Sequence, residues 1–282
     1  MLAVGLLCLA YAYFVEPQQL VVTRAEVPVP RLDPGLVGLR IVCLSDIHAG
    51  SNGADREKLR RVVESVNAED ADLVVMLGDY LSRPSKASQS LLMEPKDIVA
   101  GLEGMRAKYG VYLVKGNHDV GPESDELMNR FAAAGYNVLN GKVAVIDVNG
   151  TPLRLLGLRD HQQITIWRNY SDDARALLAP TEGKGNVIVL QHSPDILPII
   201  TGPYGISNDL RLMLSGHTHG GQVWLPVIGA PIVSSANGQK YRRGLITDSV
   251  IPIYITTGIG TSILPFRFMV PPEIAVITLR AA

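Results

Sequence analysis

The sequence LRIVCLSDIH, residues 39–48, joins a short apolar run to a polar D-x-H motif. An apolar run of this length predicts a buried β-strand, which places Asp46 and His48 at the carboxyl end of that strand. The next segment, residues 55–68, has its apolar residues at helical spacing and predicts a helix. Strand and helix together indicate a β-α unit, the building block of parallel sheets with crossover helices.

Two further units of the same kind follow in the first half of the chain. Residues 72–79, DLVVMLGD, and residues 111–119, VYLVKGNHD, predict buried strands that each end in polar residues. The segments after them, residues 95–108 and residues 123–134, predict helices. Long helices are scarcer in the second half, so we expect a mixed sheet or two packed sheets in one domain. The strands predicted there are a hairpin over residues 143–158 and the runs 186–192, 211–217, 252–258 and 273–280.

The N-terminal segment LAVGLLCLAYAYFV, residues 2–15, carries no charged side chain. We expect residues 1–16 to form an apolar membrane helix, which the following proline would end. An uncleaved transmembrane anchor is favoured, because the segment has neither the basic start nor the small-residue cleavage site of a secretory signal. A secretory signal and a peripheral apolar arm remain alternatives. Residues 17–40 predict an edge strand and a linker, and residues 41–282 the main domain.

The composition of the 282 residues indicates a globular protein, because 47% are hydrophobic and only 19% are charged. The net charge is -1, and no run of lysine and arginine is long enough to bind a nucleic-acid backbone. A nucleic-acid partner is therefore not expected. Cys8 and Cys43 both stand in apolar segments and imply no disulfide framework.

Polar motifs follow the predicted strands, and five of the six histidines belong to these motifs. The carboxyl ends of neighbouring strands in an open α/β sheet meet at one crevice, so these side chains are expected to converge. Carboxylate, carboxamide and imidazole groups together are ligands for borderline divalent metals such as Zn, Mn or Fe. The residues concerned are Asp46, His48, Asp79, Asn117, His118, Asp119, His192, His217 and His219.

The spacing within each motif predicts which side chains can face the same metal ion and which can face the substrate. In D-x-H and H-x-H, residues two apart project to the same side of an extended segment, so both can face one ion. In GNHD, Gly116 permits a tight turn, and the adjacent Asn117 and His118 point in different directions. One of them can bind metal while the other faces substrate. A site with two metals suits the hydrolysis of phosphoryl esters, because it acidifies a bound water and clamps an in-line displacement.

The ordered set SDIH, GD, GNHD, QHS and GHTHGGQ resembles the calcineurin-like metallophosphoesterase superfamily over residues 41–282. The tail GIGTSILPFRFMVPPEI, residues 258–274, is similar to a bacterial membrane-anchored branch of that superfamily. One motif alone would be weak evidence, whereas five in the order of the family are specific. The resemblance implies a four-layer αββα sandwich of two mixed β-sheets, with a dinuclear metal site at the strand ends.

The resemblance also implies a role for each motif residue. One metal would be held by Asp46, His48 and His219, and the other by Asn117, His192 and His217. Asp79 would bridge both metals. His118 would lie beside the scissile phosphate as an acid or charge stabiliser, and Asp119 would orient its imidazole.

These roles together indicate a membrane-anchored hydrolase that uses two divalent metals to cleave a phosphomonoester, phosphodiester or pyrophosphate bond. Tethering at a bacterial inner or plasma membrane through residues 2–15 favours a lipid-linked substrate, because it raises the local concentration at the bilayer. The sequence leaves the membrane face open, and no obligate protein partner is expected. A nuclease-type phosphodiesterase and a non-catalytic metal-binding scaffold are the alternatives, and the complete motif set disfavours the scaffold.

A few residues near the motifs allow two interpretations. Asp119 could instead cap the helix that follows it. His161 is either an exposed loop residue or a substrate contact. Arg83, Arg168 and Arg267 either contact the substrate or are solvated.

The two loops with glycine or proline near the end of the chain also raise alternatives. Residues 220–222, GGQ, are expected to let the backbone fold back closely over the metals. Phe266 begins the strip FRFMVPPE, and Leu264 stands two residues before it. Both either touch lipid or pack in the core.

Overall fold

The structure of the chain, a computed structural model, describes residues 2–85, 88, 90–160 and 166–282. The α-helices in these ranges are α1 (Leu2–Ala10), α2 (Arg56–Ala68), α3 (Pro95–Leu102), α4 (Pro122–Ala133), α5 (Trp167–Leu178) and α6 (Leu197–Thr201). The strands of the first half are β1 (Val21–Val29), β2 (Arg40–Leu44), β3 (Leu73–Met76), β4 (Val111–Leu113), β5 (Asn137–Val138) and β6 (Lys142–Val148). The later strands are β7 (Thr151–Gly157), β8 (Asn186–Leu190), β9 (Leu210–Ser215), β10 (Gly244–Ile246), β11 (Ile253–Ile255) and β12 (Glu273–Ala281).

The strands form two six-stranded sheets. The first sheet has the order β1-β12-β2-β3-β4-β5 and is parallel except where β12 pairs with β2. The second sheet has the order β10-β11-β9-β8-β7-β6, with parallel pairs in its centre and an antiparallel pair at each edge. Both sheets are mixed, as the family resemblance implies.

Three apolar cores hold four layers together. The core between the sheets contains Ile41 and Cys43 of β2 together with Leu155 of β7. The alternate residues of β2, Val42 and Leu44, belong to a second core that packs against α2, α3 and α4. A third core joins the outer face of the second sheet to α5 and α6. The predicted αββα sandwich is therefore the observed fold.

The helix boundaries agree with the sequence for α2 and α4 and differ for α3. Helix α2 starts directly after Asp55, whose side chain accepts a hydrogen bond from the backbone N–H of Lys58 at 2.8 Å. Helix α3 ends at Leu102, short of the predicted end at residue 108, and Gly104 follows in the left-handed region with φ +84°. Helix α5 was not predicted, although Tyr170, Ala174 and Leu178 stand at helical spacing on its buried face.

The N-terminal segment is helical and its last residues pack on the domain. Helix α1 continues as a π-turn and then a 3-10 turn that ends at Gln18. The buried Glu16 carboxylate accepts hydrogen bonds from the backbone N–H groups of Met269 and Val270. Strand β1 follows at the edge of the first sheet, as predicted. Within the described ranges, no helix has both the length and the apolar character needed to cross a membrane, so the predicted transmembrane helix is not supported.

We expect Leu155→Ala to lower the free energy of unfolding by about 2–5 kcal/mol, because it removes a fully buried side chain from the core between the sheets. Denaturant titration followed by circular dichroism measures this change. Val145→Ala is the matched control, since Val145 of β6 is 45% exposed and its truncation should have little effect. Equal losses in the two variants would contradict the layered core.

Candidate metal centre

All seven predicted metal ligands lie on loops that leave the carboxyl ends of strands. In the first sheet, the loops after β2, β3 and β4 supply side chains, and in the second sheet the loops after β8 and β9 do so. The two groups of loops are joined where His192 Nδ1 lies 2.8 Å from the carbonyl oxygen of Leu77. The structure therefore brings the seven residues together. They are Asp46, His48, Asp79, Asn117, His192, His217 and His219.

The backbone is left-handed at five of these seven residues, which corrects the expectation of extended D-x-H and H-x-H segments. The φ angles are +51° at Asp46, +41° at His48 and +57° at Asp79. His217 and His219 have φ angles of +72° and +50°. Side chains two residues apart therefore converge through turns and not along a strand. A non-glycine residue held in this region costs about 1 kcal/mol or more, and such strain concentrates at functional sites.

The first cluster of donor atoms consists of Asp46, His48 and His219. His219 Nε2 lies 3.2 Å from His48 Nε2 and 3.3 Å from Asp46 Oδ1. Asp46 Oδ1 is buried and accepts no hydrogen bond from the residues that the structure describes. A buried carboxylate oxygen without a donor is costly unless a cation lies beside it. The chemistry of this cluster thus fits a divalent metal ion.

The second cluster gathers around His192. Its Nε2 lies 3.2 Å from Asp79 Oδ2, 3.1 Å from Asn117 Oδ1 and 3.1 Å from His217 Nδ1. The donor atoms of Asp79, His192 and His217 all lie within 4.8 Å of one another. Carboxylate, carboxamide and two imidazoles also fit a divalent metal ion. His217 therefore lies with this cluster, whereas His219 lies with the first.

Asp79 lies between the two clusters. Its Oδ2 is 3.5 Å from His48 Nε2 and 3.2 Å from His192 Nε2. Its Oδ1 accepts a hydrogen bond from the backbone N–H of His118 at 2.7 Å, which turns Oδ2 toward the clusters. The backbone N–H of His217 holds Oδ2 of the Asp46 carboxylate in the same way, at 2.9 Å. Each carboxylate is thus aimed by a neighbouring motif.

Carbonyl oxygens orient two of the imidazoles. His48 Nδ1 lies 3.3 Å from the carbonyl of Leu81, as His192 Nδ1 does from Leu77. A histidine that donates from Nδ1 presents an Nε2 lone pair to a metal. Both rings therefore have the orientation of metal ligands.

Arg267 provides a different partner for His219. The Arg267 side chain is fully buried, and its Nη2 donates to the carbonyls of Thr257 and Gly260 and lies 3.3 Å from His219 Nδ1. Since a guanidinium only donates, His219 accepts at Nδ1 and carries its proton at Nε2. A cation that binds at Nε2 must displace that proton. The interpretation of Arg267 as a substrate contact or a solvated residue is wrong, because its side chain is enclosed. Its position in the 258–274 tail was the signal for a role near the site.

The charges in the cluster shift its protonation. Burial lowers the pKa of His48, and burial together with His48 and Arg267 holds the pKa of His219 well below its usual range. Burial disfavours a charge on His192, but the Asp79 carboxylate outweighs it and raises the pKa of His192 to about 10. Burial also opposes the charge on Asp79, yet the His192 and His48 rings hold its pKa well below normal. A cation that binds His192 would therefore displace a proton, and its binding would weaken as the pH falls.

His118 lies at the border of the two clusters. Its ring is half-buried, and the ring centroid is 4.8 Å from that of His48. Its donor atoms lie within 4.8 Å of those of His48 and Asp79. The structure thus places His118 beside the clusters, where a reacting group could meet it. Its role as an acid or charge stabiliser stays a prediction.

Asp119 holds the backbone around Asp79 and does not orient the His118 ring. Its Oδ2 accepts hydrogen bonds from the N–H groups of Asp79 and Gly116 at 2.7 and 2.9 Å. Its Oδ1 accepts from the N–H groups of Tyr80 and Leu81 at 2.9 and 3.1 Å. Four backbone donors occupy the carboxylate, which corrects the role that the resemblance implies. The alternative as a helix cap is also wrong, because α4 is preceded by Gly121.

Two glycines allow the motifs to approach each other. A Cβ atom on Gly116 would lie 2.3 Å from Asp79 Oδ1, and one on Gly216 would lie 2.0 Å from the hydroxyl of Ser45. Any side chain at either position would therefore push the clusters apart. Close approach, and not a special φ angle, explains Gly116.

Two of the remaining candidates, Arg83 and Arg168, belong to the part of the chain that the structure describes. Arg83 forms an ion pair with Glu123 at 3.2 Å. Arg168 is exposed on α5. His161 lies outside the described residues.

Two mixed sheets with carboxylate, amide and imidazole donors at their strand ends define a metal-binding α/β protein. The family model described as calcineurin-like phosphoesterase matches residues 39–221. The chain belongs to this family. The observed pair of mixed sheets is the fold that the resemblance implies, and membership of the family confirms the resemblance itself.

Relatives in bacteria and animals extend over most of the chain. The metallophosphoesterase YkuE of Bacillus subtilis is 30% identical, over 96% of this chain and 89% of its own length. A Danio rerio protein named transmembrane protein with metallophosphoesterase domain is 29% identical over 93% of this chain, which spans 57% of that protein. The phosphodiesterase YaeI of Escherichia coli is 28% identical over 74% of this chain and 70% of its own length.

We expect Asp119→Asn to lower the free energy of unfolding by about 3 kcal/mol or more. The amide nitrogen replaces one acceptor and leaves two of the four buried backbone N–H groups without a partner. Thermal unfolding measured by calorimetry detects the loss. Asp125→Asn is the control, since Asp125 is exposed on α4 and its replacement should leave stability nearly unchanged. An Asp119→Asn variant as stable as the unsubstituted chain would show that the four hydrogen bonds to the Asp119 carboxylate contribute little to stability.

Proposed function

We propose that the chain is a phosphoesterase that uses two divalent metal ions, one in each donor cluster, with Asp79 as the shared ligand. The observation that carries this proposal is the position of Asp79 Oδ2, between His48 Nε2 and His192 Nε2. The unpartnered Asp46 Oδ1 supports a cation in the first cluster. Mn, Zn or Fe suits the mixture of imidazole and carboxylate donors.

The residues of this chain would divide the work of phosphoester cleavage. Two cations, when bound, would supply Lewis acidity and an activated water nucleophile. Asp46 and Asp79 hold the negative charge that binds the cations, and the N–H groups of His217 and His118 keep these carboxylates aimed. The His118 ring, at the border of the clusters, donates a proton to the leaving oxygen or stabilises its charge.

The substrate is proposed to be a phosphate ester or pyrophosphate at a membrane, and most simply a lipid-linked phosphodiester. The uncharged segment over residues 2–15 supports a membrane location, as does the name of the Danio rerio relative. The name of the Escherichia coli relative supports a diester. In this arrangement residues 41–282 are the catalytic domain and residues 1–16 the membrane segment.

The alternatives have less support. A nuclease-type phosphodiesterase would need a basic surface for the nucleic-acid backbone, and the net charge is -1. A non-catalytic metal-binding scaffold would not need His118 beside the clusters. Hydrolysis is therefore preferred over binding alone.

We expect Asp79→Ala to abolish hydrolysis of bis(p-nitrophenyl) phosphate and to lower the metal content from about two ions per chain. The variant removes the oxygen shared by both clusters. Activity assays and elemental analysis of the same samples measure the two effects. Asp173→Ala, an exposed position on α5, is the control and should behave like the unsubstituted chain. Full activity in Asp79→Ala would refute the dinuclear proposal.

We expect His118→Ala to keep its metal content and to lose roughly 10²-fold or more in kcat, the usual scale for a general acid. The physical reason is that each cluster keeps its other donors, Asp46, His48 and His219 in one and Asp79, His192 and His217 in the other, when the His118 ring beside His48 and Asp79 is removed. The ratio of rates for esters with good and poor leaving groups provides a second measurement. A general acid matters most for a poor leaving group, so an equal loss for both would argue against this role.

A further inference from the structure

Two loops close to the metal centre display aliphatic side chains to solvent. Residues 223–232 carry Val227, which is fully exposed, and Ile228, which is 71% exposed. Residues 262–269 carry Ile263 and Leu264, and Ile263 is 84% exposed. Several large aliphatic residues at two loop tips form an unusual surface for a protein in water.

The backbone at these tips is strained as well. Val227 has φ +73° and Ile263 has φ +64°. Branching at Cβ makes the left-handed region especially unfavourable for valine and isoleucine. Burial does not offset this cost, because both side chains project into solvent. Exposure and strain at the same two residues point to a function outside the folded core.

The two loops are joined to each other and to the N-terminal segment. The N–H of Trp224 donates to the carbonyl of Phe268 at 2.8 Å, and the N–H of Arg267 donates to the carbonyl of Ala12 at 3.0 Å. The Asn52 amide donates to the carbonyls of both Tyr13 and Pro265 at 2.7 Å. The loops and the N-terminal segment therefore form one continuous surface.

Gln222 connects this surface to the metal centre. Its side chain donates to the carbonyl of Leu264 at 2.7 Å and accepts from the N–H of Ser262 at 2.9 Å. Gln222 stands at the end of the short turn that carries His219. The sequence predicted only a backbone role for this GGQ segment, and the structure adds the side chain. The position of the loops is thus fixed relative to the first donor cluster.

The N-terminal helix shows what covers this surface. Its exposed residues Val4, Leu6, Leu7 and Leu9 point to all sides of α1, and each is at least 58% exposed. A helix that is apolar on every side is typical of a segment surrounded by lipid or by the core of a large protein, and the two tyrosines that follow favour lipid. Tyr11 and Tyr13 follow with partial exposure, which is typical of the boundary between lipid and water.

We propose that the tips of the 223–232 and 262–269 loops insert into the surface of a lipid bilayer beside the N-terminal segment. This docking holds the metal centre at the level of the lipid phosphates, so the substrate is a phosphate ester presented by the membrane itself. The substrate part of this inference rests on the proposed phosphoesterase function. Insertion of the loops does not depend on it. Leu264 then belongs to the lipid-facing surface, and Phe266 is half-buried beneath it.

The experiment places an environment-sensitive nitrobenzoxadiazole label on Val227→Cys in the full chain, with Cys8→Ser to remove the other accessible thiol; Cys43 is buried. Vesicles of equimolar phosphatidylcholine and phosphatidylglycerol are then added. We expect the label to shift to the blue and to be quenched by nitroxide lipids. Val250→Cys is the matched control, because Val250 is 70% exposed near Leu210, at the opposite end of β9 from His217. Its label should not respond.

A second variant, Val227→Asp with Ile228→Asp, links docking to turnover. We expect hydrolysis of a phosphodiester lipid in these vesicles to fall roughly tenfold or more, because two apolar side chains no longer enter the bilayer. Hydrolysis of bis(p-nitrophenyl) phosphate should stay unchanged, and aspartate is tolerated at the left-handed Val227 position. Val250→Asp should alter neither rate.

The outcomes separate the two proposals. The docking proposal is overturned if the fluorescence of the label at residue 227 does not change when vesicles are added, or if the chain does not bind vesicles. This holds even if the soluble ester is cleaved. Failure to cleave any ester while the label enters the bilayer refutes the phosphoesterase function and leaves the docking surface standing. Equal loss of both activities in the double aspartate variant also overturns the docking proposal.

Discussion

The burial of two carboxylates where the sheets meet is the constraint on which the rest of the structure depends. Asp46 and Asp79 are almost fully enclosed, and removing a charge from water costs several kcal/mol. The chain offsets part of this cost with single backbone N–H donors from His217 and His118. It leaves Asp46 Oδ1 without a donor, so a bound cation would complete the compensation. The imidazoles around Asp79 also stabilise its negative charge.

This constraint explains why the loops have their unusual backbone. Side chains from five strand ends meet at one point, and the turns after three of those strands, β2, β3 and β9, have positive φ at the motif residues. The Asp119 carboxylate, bonded to four N–H groups, fixes the turn that carries Asp79. Gly116 and Gly216 remove the side chains that would keep the motifs apart. The stability of the two packed sheets therefore offsets the backbone strain and the buried charge of the metal centre.

The sequence predicted the elements whose signals are local and repeated. Apolar runs located the strands, and the motifs after them located the metal centre, because the carboxyl ends of strands in an α/β sheet converge. Local patterns failed where distant contacts decide the structure. The four donors to Asp119 lie on two separate loops, and Arg267 contacts His219 from far along the chain. Neither arrangement leaves a periodic trace in the sequence. The helical spacing of Tyr170, Ala174 and Leu178 in α5, by contrast, was present in the sequence and was missed.

The same loops connect chemistry to the outer surface. The turn after β9 carries His219 and then Gln222, which holds the loop with Ile263 at its tip. Movement or insertion of that loop would therefore reach the metal centre through a few bonds. The surface that inserts into lipid and the centre that cleaves phosphate esters would then be held in a fixed position relative to each other.

The most direct test of the account is anomalous X-ray diffraction from crystals of the full chain soaked in Mn²⁺. Two anomalous peaks about 3.5–4 Å apart are predicted, with Asp79 between them. His219 should border the peak near Asp46, and His217 the peak near Asn117. A single peak, or two peaks with His217 and His219 bound to the same ion, would contradict the central claim.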